Sequence, residues 1–119
     1  MGADQFGMDV GLLMNYRNPK LLKLAKDAPC MNCHIMDNTI VAAHSNQLRD
    51  GKGVGIKSHD YRISYLCSLC HASIDNNKEL SREERIELWE DAHRRTIGYL
   101  FTSGHLEVKL WVKEVQKDQ

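Results

Sequence analysis

Residues 61–75 read Tyr-Arg-Ile-Ser-Tyr-Leu-Cys-Ser-Leu-Cys-His-Ala-Ser-Ile-Asp. The first six are rich in β-branched and aromatic side chains and predict a strand over 61–66. Cys67-Ser-Leu-Cys70 then makes a tight knuckle, and a short helix is expected from His71 to Asp75, ending at Asn76-Asn77. An earlier pair, Cys30-Met-Asn-Cys33, repeats the two-residue gap. Four thiolates in two such pairs are the donor set that tetrahedral zinc prefers, and one ion would tie residue 30 to residue 70. Four unligated buried thiols would leave the shared gap unexplained.

Working outward, Asn18-Pro19 opens a short helix through Leu21, Leu22, Leu24 and Ala25 that stops before Pro29, since proline suits a first helical turn. Residues 39–44, Thr-Ile-Val-Ala-Ala-His, predict a strand ending at His44. Residues 45–58 hold three glycines and the basic residues Arg49, Lys52 and Lys57, and form the longest loop. Ser81-Arg-Glu-Glu84 is a capping box, so a long helix begins there and runs to about residue 103, with Gly104 as a left-handed stop. Ile86, Trp89, Ala92, Ile97 and Leu100 fall roughly on one face of it. Residues 105–113 alternate apolar and polar, which predicts a closing strand with Leu106, Val108, Leu110 and Val112 inward. The sum is a small α+β domain over residues 19–119, preceded by an N-terminal extension, residues 1–18.

The 119 residues suit one domain, and 42% hydrophobic and 7% aromatic residues make a modest core of the kind that a metal helps to hold. Sixteen basic against sixteen acidic residues give zero formal charge, which argues against a strongly basic nucleic-acid coat but not against a local basic face. No run approaches the roughly 20 apolar residues of a membrane span, and no export signal is read at the start. A reducing cytoplasm is therefore expected, where four cysteines favour metal over disulfides. Both pairs are followed by histidine, His34 and His71, so Cys-x-x-Cys-His haem attachment is a formal rival. It needs export.

The histidines suggest chemistry beyond a staple. His71 and Asp75 stand four apart on the short helix, hence on one face, where an imidazole and a carboxylate can share a divalent cation. His44, at a strand end, can act as general base toward water attacking a phosphodiester. The bland alternatives are a satisfied strand-end histidine at His44 and capping roles at His71 and Asp75. His34 faces solvent or supports its knuckle, while His59, His93 and His105 have no motif support. The loop lacks the Gly-x-x-x-x-Gly-Lys-Ser/Thr pattern, so no nucleotide cofactor is expected. Its Arg49, Lys52 and Lys57 read instead as a flexible arm on the DNA backbone, or as a solvated turn. Arg94 and Arg95 extend that basic face or merely solvate the helix.

In combination, AAHSN (42–46), GKGVGIKSHD (51–60), LCSLCHASID (66–75) and, more loosely, AHRRT (92–96) resemble the His-Asn-His, or ββα-metal, nucleases. Within that group the chain is most similar to the small prophage-encoded nucleases of the YbcO-like family. The resemblance covers roughly residues 28–108. It implies a zinc-stabilised ββα-metal (HNH-like) domain with an added long C-terminal helix and strand, and a metal-dependent DNA endonuclease of phage or prophage DNA processing. His44 takes the general-base place, and His71 and Asp75 hold a catalytic divalent cation (Mg²⁺, Mn²⁺ or Zn²⁺) beside the structural zinc on Cys30, Cys33, Cys67 and Cys70. DNA is the implied partner, in a bacterial host cytoplasm. A recombination protein is compatible with this and is not derivable from the residues. Many such nucleases carry Asp or His just before the base; here that residue is Ala43, and Asn46 or Asp60 is the candidate to supply the contact or to orient His44. The competing class is a non-catalytic zinc-finger module binding DNA or protein, which needs only the cysteines.

Overall fold

The computed structural model describes residues 14–111. In chain order they form helix α1 (Pro19–Lys23) running into a 3-10 turn (Leu24–Asp27), strand β1 (Val41–His44), a second 3-10 turn (Leu48–Asp50), strand β2 (Ile63–Leu66), helix α2 (Ser68–Asn76) and helix α3 (Arg82–Thr102). The architecture is α+β around one two-stranded antiparallel sheet. Its register pairs Val41 with Leu66 at one end and His44 with Ile63 at the other.

Pairing in that register orders the two faces. Ala43 lies in the core, while Ala42 and His44 are less buried, as alternation along a strand requires. All four β2 residues are buried because α3 lies along them. Trp89, Ala92, Thr96 and Leu100 are the buried face of that helix. The helix starts where the capping box predicts, with Ser81 Oγ accepting from the Glu84 amide and Glu84 Oε1 accepting from the Ser81 amide. Such a cap stabilises a helix by about 1 kcal/mol. It ends at Thr102, and Gly104 just beyond it has a φ of 81°, left-handed as expected. Helix α2 begins earlier than its sequence suggests, at Ser68 rather than His71, because Cys67 itself is the N-cap and its sulfur accepts from the Cys70 amide.

Two expectations change. Residues 106–111 form no strand. Leu106 packs on the core, but Val108 and Leu110 are 62% and 73% exposed rather than inward; Val112 and Lys113 lie outside the described residues. The physical reason is that little of the outer edge of β2 is open to pairing. Its outward groups are already taken: Met31 donates its amide to Tyr65 O, His93 Nδ1 donates to Ile63 O, and Thr96 Oγ1 accepts from the Tyr65 amide.

The loop after β1 is also not a free arm. Asn15 Nδ2 donates to Gly51 O at 2.7 Å and to Lys57 O at 2.8 Å, and Arg17 donates to Lys57 O and Ser58 O. Gly51 sits at φ 88°, and a Cβ there would meet the Asn15 side chain at 2.8 Å, so glycine is required by both backbone and neighbour. Residues 15–18, assigned by sequence to the extension, thus clasp the body of the domain.

Candidate functional site

The first knuckle leaves the 3-10 turn, and the second caps α2; β1 and β2 bring the two together. The four ligand sulfurs of Cys30, Cys33, Cys67 and Cys70 lie within 4.8 Å of one another, with Cys33 and Cys67 sulfurs 3.7 Å apart. Four sulfurs at 2.3 Å from a tetrahedral zinc would be about 3.8 Å apart, so the cluster can hold a metal ion such as zinc. Surrounding donors already point at the sulfurs: the amides of Asn32 and Cys33 toward Cys30, and Asn32 Nδ2 toward Cys70 at 3.2 Å. Burial pushes the Cys30 thiol up, but amide donors from Cys33, Cys67 and Asn32 together outweigh it and bring it down to about 7. Burial of Cys70 dominates, and its thiol is pushed up to about 12. Gathering all four sulfurs at one point removes the two-haem reading, in which each pair would hold its own macrocycle.

At the other end of the ladder, His44 Nε2 lies 2.7 Å from Asp60 Oδ1. Asp60 is 2% exposed and also receives the Asn18 amide at 2.6 Å and Arg17 Nη1 at 3.1 Å. Burial opposes its ionisation, yet the hydrogen bonds from His44 and Asn18 and the charge of Arg17 hold the carboxyl below its usual range. An ionised Asp60 accepts the Nε2 proton, which leaves Nδ1 as the basic nitrogen of a neutral His44. Of the two residues considered as orienters, Asp60 is the one on His44. Asn46 instead donates to Asp75 Oδ1 at 3.0 Å.

Helix α2 places His71 Nε2 3.2 Å from Asp75 Oδ2, as the four-residue spacing predicts. Two cis ligands at 2.1 Å from an octahedral cation would be about 3.0 Å apart, so this pair fits two corners of such a site. Among the described residues, the cysteines are nevertheless the one group of three or more metal-ligating side chains within reach of a common point. Ala43 is buried and its methyl group cannot add a ligand.

His44 and His71 line one open cleft of about 380 Å³ together with Asn46, Lys52 and Lys57. Arg49 is not part of that lining; it is 71% exposed and lies 3.6 Å from Glu90. Arg94 pairs with Asp91, and Arg95 Nε donates to Met31 O at 2.6 Å, fastening the first knuckle to α3. Sequence reasoning did not find the network behind the cleft. Arg62 bonds both Asp50, at 3.0 Å, and Glu90, and lies over the Trp89 ring. Ser45 Oγ donates to Asp50 at 2.5 Å. Burial raises both carboxyls, but hydrogen bonds from Ser45 and Arg62 to Asp50, and from Arg62 and Gln47 to Glu90, lower them further. The one available signal was an arginine inside a strand-like run. His34 is exposed, His59 stacks on Tyr61, and His93 stacks on Trp89.

No protein-family model, no curated protein and no solved structure matches this chain. No helix of the described residues is long and apolar enough to cross a membrane.

Proposed function

We propose that the chain is a metal-dependent DNA endonuclease of the ββα-metal kind, stapled by zinc on its four cysteines. The observation that carries this reading is the Asp60–His44 pair on the wall of a cleft shared with His71, Lys52 and Lys57. A buried carboxylate that fixes one imidazole nitrogen leaves the other free to take a proton. That is the arrangement a general base needs.

In this reading water in the cleft gives its proton to His44 Nδ1 as its oxygen forms a bond to phosphorus. Meanwhile the bond from phosphorus to the leaving sugar oxygen breaks, and that oxygen takes a proton from solvent. Asp60 goes on accepting the hydrogen bond from Nε2–H and steadies the imidazolium that results. Lys52 and Lys57 draw the phosphate backbone in. His71 and Asp75 would hold a divalent cation such as Mg²⁺ or Mn²⁺, which when bound would supply charge stabilisation at the phosphate and the leaving oxygen. The rival reading, a non-catalytic metal-stapled module binding DNA or protein, uses the cysteines and gives the Asp60–His44 pair no purpose.

The test is cleavage of linear, branched and single-stranded DNA with Mg²⁺ or Mn²⁺. General-base catalysis contributes about 100- to 10,000-fold, so His44→Ala loses that much while keeping zinc and fold. His71→Ala also loses cleavage, and high metal restores part of it. Equal cutting by His44→Ala and the parent would refute the mechanism, and no cutting by the parent would favour the rival.

A further inference from the structure

A second, smaller cavity of about 130 Å³ opens between the end of β1, α2 and the first turns of α3. Ile74, Ile86 and Trp89 give it apolar walls, and Gln47, Arg82 and Arg85 give it a polar rim. Asn46 and Asp75 also line it. Asn46 lines the large cleft as well, and Asp75 is the residue paired with His71. The cavity therefore adjoins the site proposed for phosphodiester cleavage.

Its size and chemistry select the occupant. An apolar cavity of about 150 Å³ holds one benzene ring, so this one suits a single six-membered ring. A bare phosphate would gain nothing from Ile74, Ile86 and Trp89. Arg85 already gives one nitrogen, Nη1, to Asp75 O at 2.9 Å, while its buried Nε has no partner. Arginine planes stack on bases and their N–H groups reach ring carbonyls.

We infer that this cavity receives one unstacked nucleobase, of pyrimidine size, from the nucleotide next to the cut. The inference rests on the nuclease reading for its place in the reaction, and it narrows the substrate class. A base inside a continuous duplex cannot enter a ring-sized cavity without leaving its stack. DNA with an unpaired nucleotide at the cleavage point is therefore the favoured substrate.

The chain has two tryptophans, and Trp111 is almost fully exposed, so Trp111→Phe leaves Trp89 as a single fluorescent reporter. Thymidine and cytidine, which carry no phosphate, are titrated into this protein, with inorganic phosphate as the comparison. A saturable change with the nucleosides and none with phosphate is expected. Ile86→Phe fills the cavity, and Arg82→Ala trims its rim at an exposed helix position that keeps the fold. Each weakens nucleoside binding about tenfold or more. On single-stranded DNA each raises KM at little-changed kcat. A response to phosphate alone, no response to nucleosides, or equal cutting of unpaired and fully paired DNA by the parent overturns the inference. The nucleoside titration needs no cleavage, so it stands apart from the nuclease reading. If His44→Ala abolishes cutting while nucleosides leave Trp89 unchanged, the nuclease survives and the base pocket does not.

Discussion

At the Val41–Leu66 end of the hairpin four thiol sulfurs converge within 4.8 Å, whereas near the His44–Ile63 end the closing groups are carboxylates and guanidinium ions. The same ladder is thus held by soft donors at one end and by hard charges at the other. The first end can hold a metal ion, which would supply folding energy there. The second is assembled from Arg17, Asp50, Asp60, Arg62 and Glu90, five residues far apart in the sequence. It holds His44 and the cleft in place. The two ends of one small sheet are thus closed by different side-chain chemistry.

The largest expected effect is at the soft end. Structural zinc contributes on the order of 10 kcal/mol to small domains at neutral pH, so chelation or Cys67→Ser unfolds the chain. Circular dichroism beside metal analysis checks this; folded protein without metal would refute it.

Next in size is the charged network. Arg62→Met leaves Asp50 and Glu90 facing each other and costs about 3 kcal/mol, read as a shift in a urea midpoint. The pH dependence follows from the sign of the shifts. Asp50, Asp60 and Glu90 are held below their usual range in the folded state. Their stabilisation is therefore complete above about pH 4.5 and is lost as acid protonates them through their folded values. The parent should lose stability below that pH, and Arg62→Met should lose less. Parallel curves for the two proteins would show that the network does not set acid stability.

A smaller change tests whether the charged end serves His44 itself. Asp60→Asn keeps size but removes the obligate acceptor. Loss of such an orienting partner costs about 10- to 100-fold in activity, expected in kcat more than in KM, with zinc content unchanged. The smallest effect belongs to Lys52 and Lys57. Neutralising both should weaken DNA binding alike at many sequences and reduce the salt slope by about two. An unchanged slope would move the DNA path off this loop.

The soft end was legible in sequence because its signal is local: two short spacings name all four residues. The His71–Asp75 pair was legible for the same reason, through helical periodicity. Strands, helix caps and the Gly104 stop follow from propensities over a few residues. The charged end was legible only in part: Asp60 stood as one of two candidates to orient His44, but it meets His44 sixteen positions away and Arg17 forty-three away. No periodicity marks such pairs. Residues 105–113 misled for a related reason. Alternation says only that a segment suits a sheet, not whether an edge is open to receive it.

The hydroxyl of Thr96 has a consequence for how this chain avoids its own company. It accepts from the Tyr65 amide and donates to Ala92 O at 2.8 Å, so the Tyr65 amide on the outer margin of β2 is not left open to a neighbouring molecule. Open strand margins template strand-to-strand aggregation. Here the shield is a helix that arrives later in the chain, so a ribosome-bound or partly folded intermediate lacking α3 would expose a hydrophobic, uncovered strand. Thr96→Val, which keeps the shape and removes the acceptor, would therefore show its defect in the yield of refolding at high protein concentration.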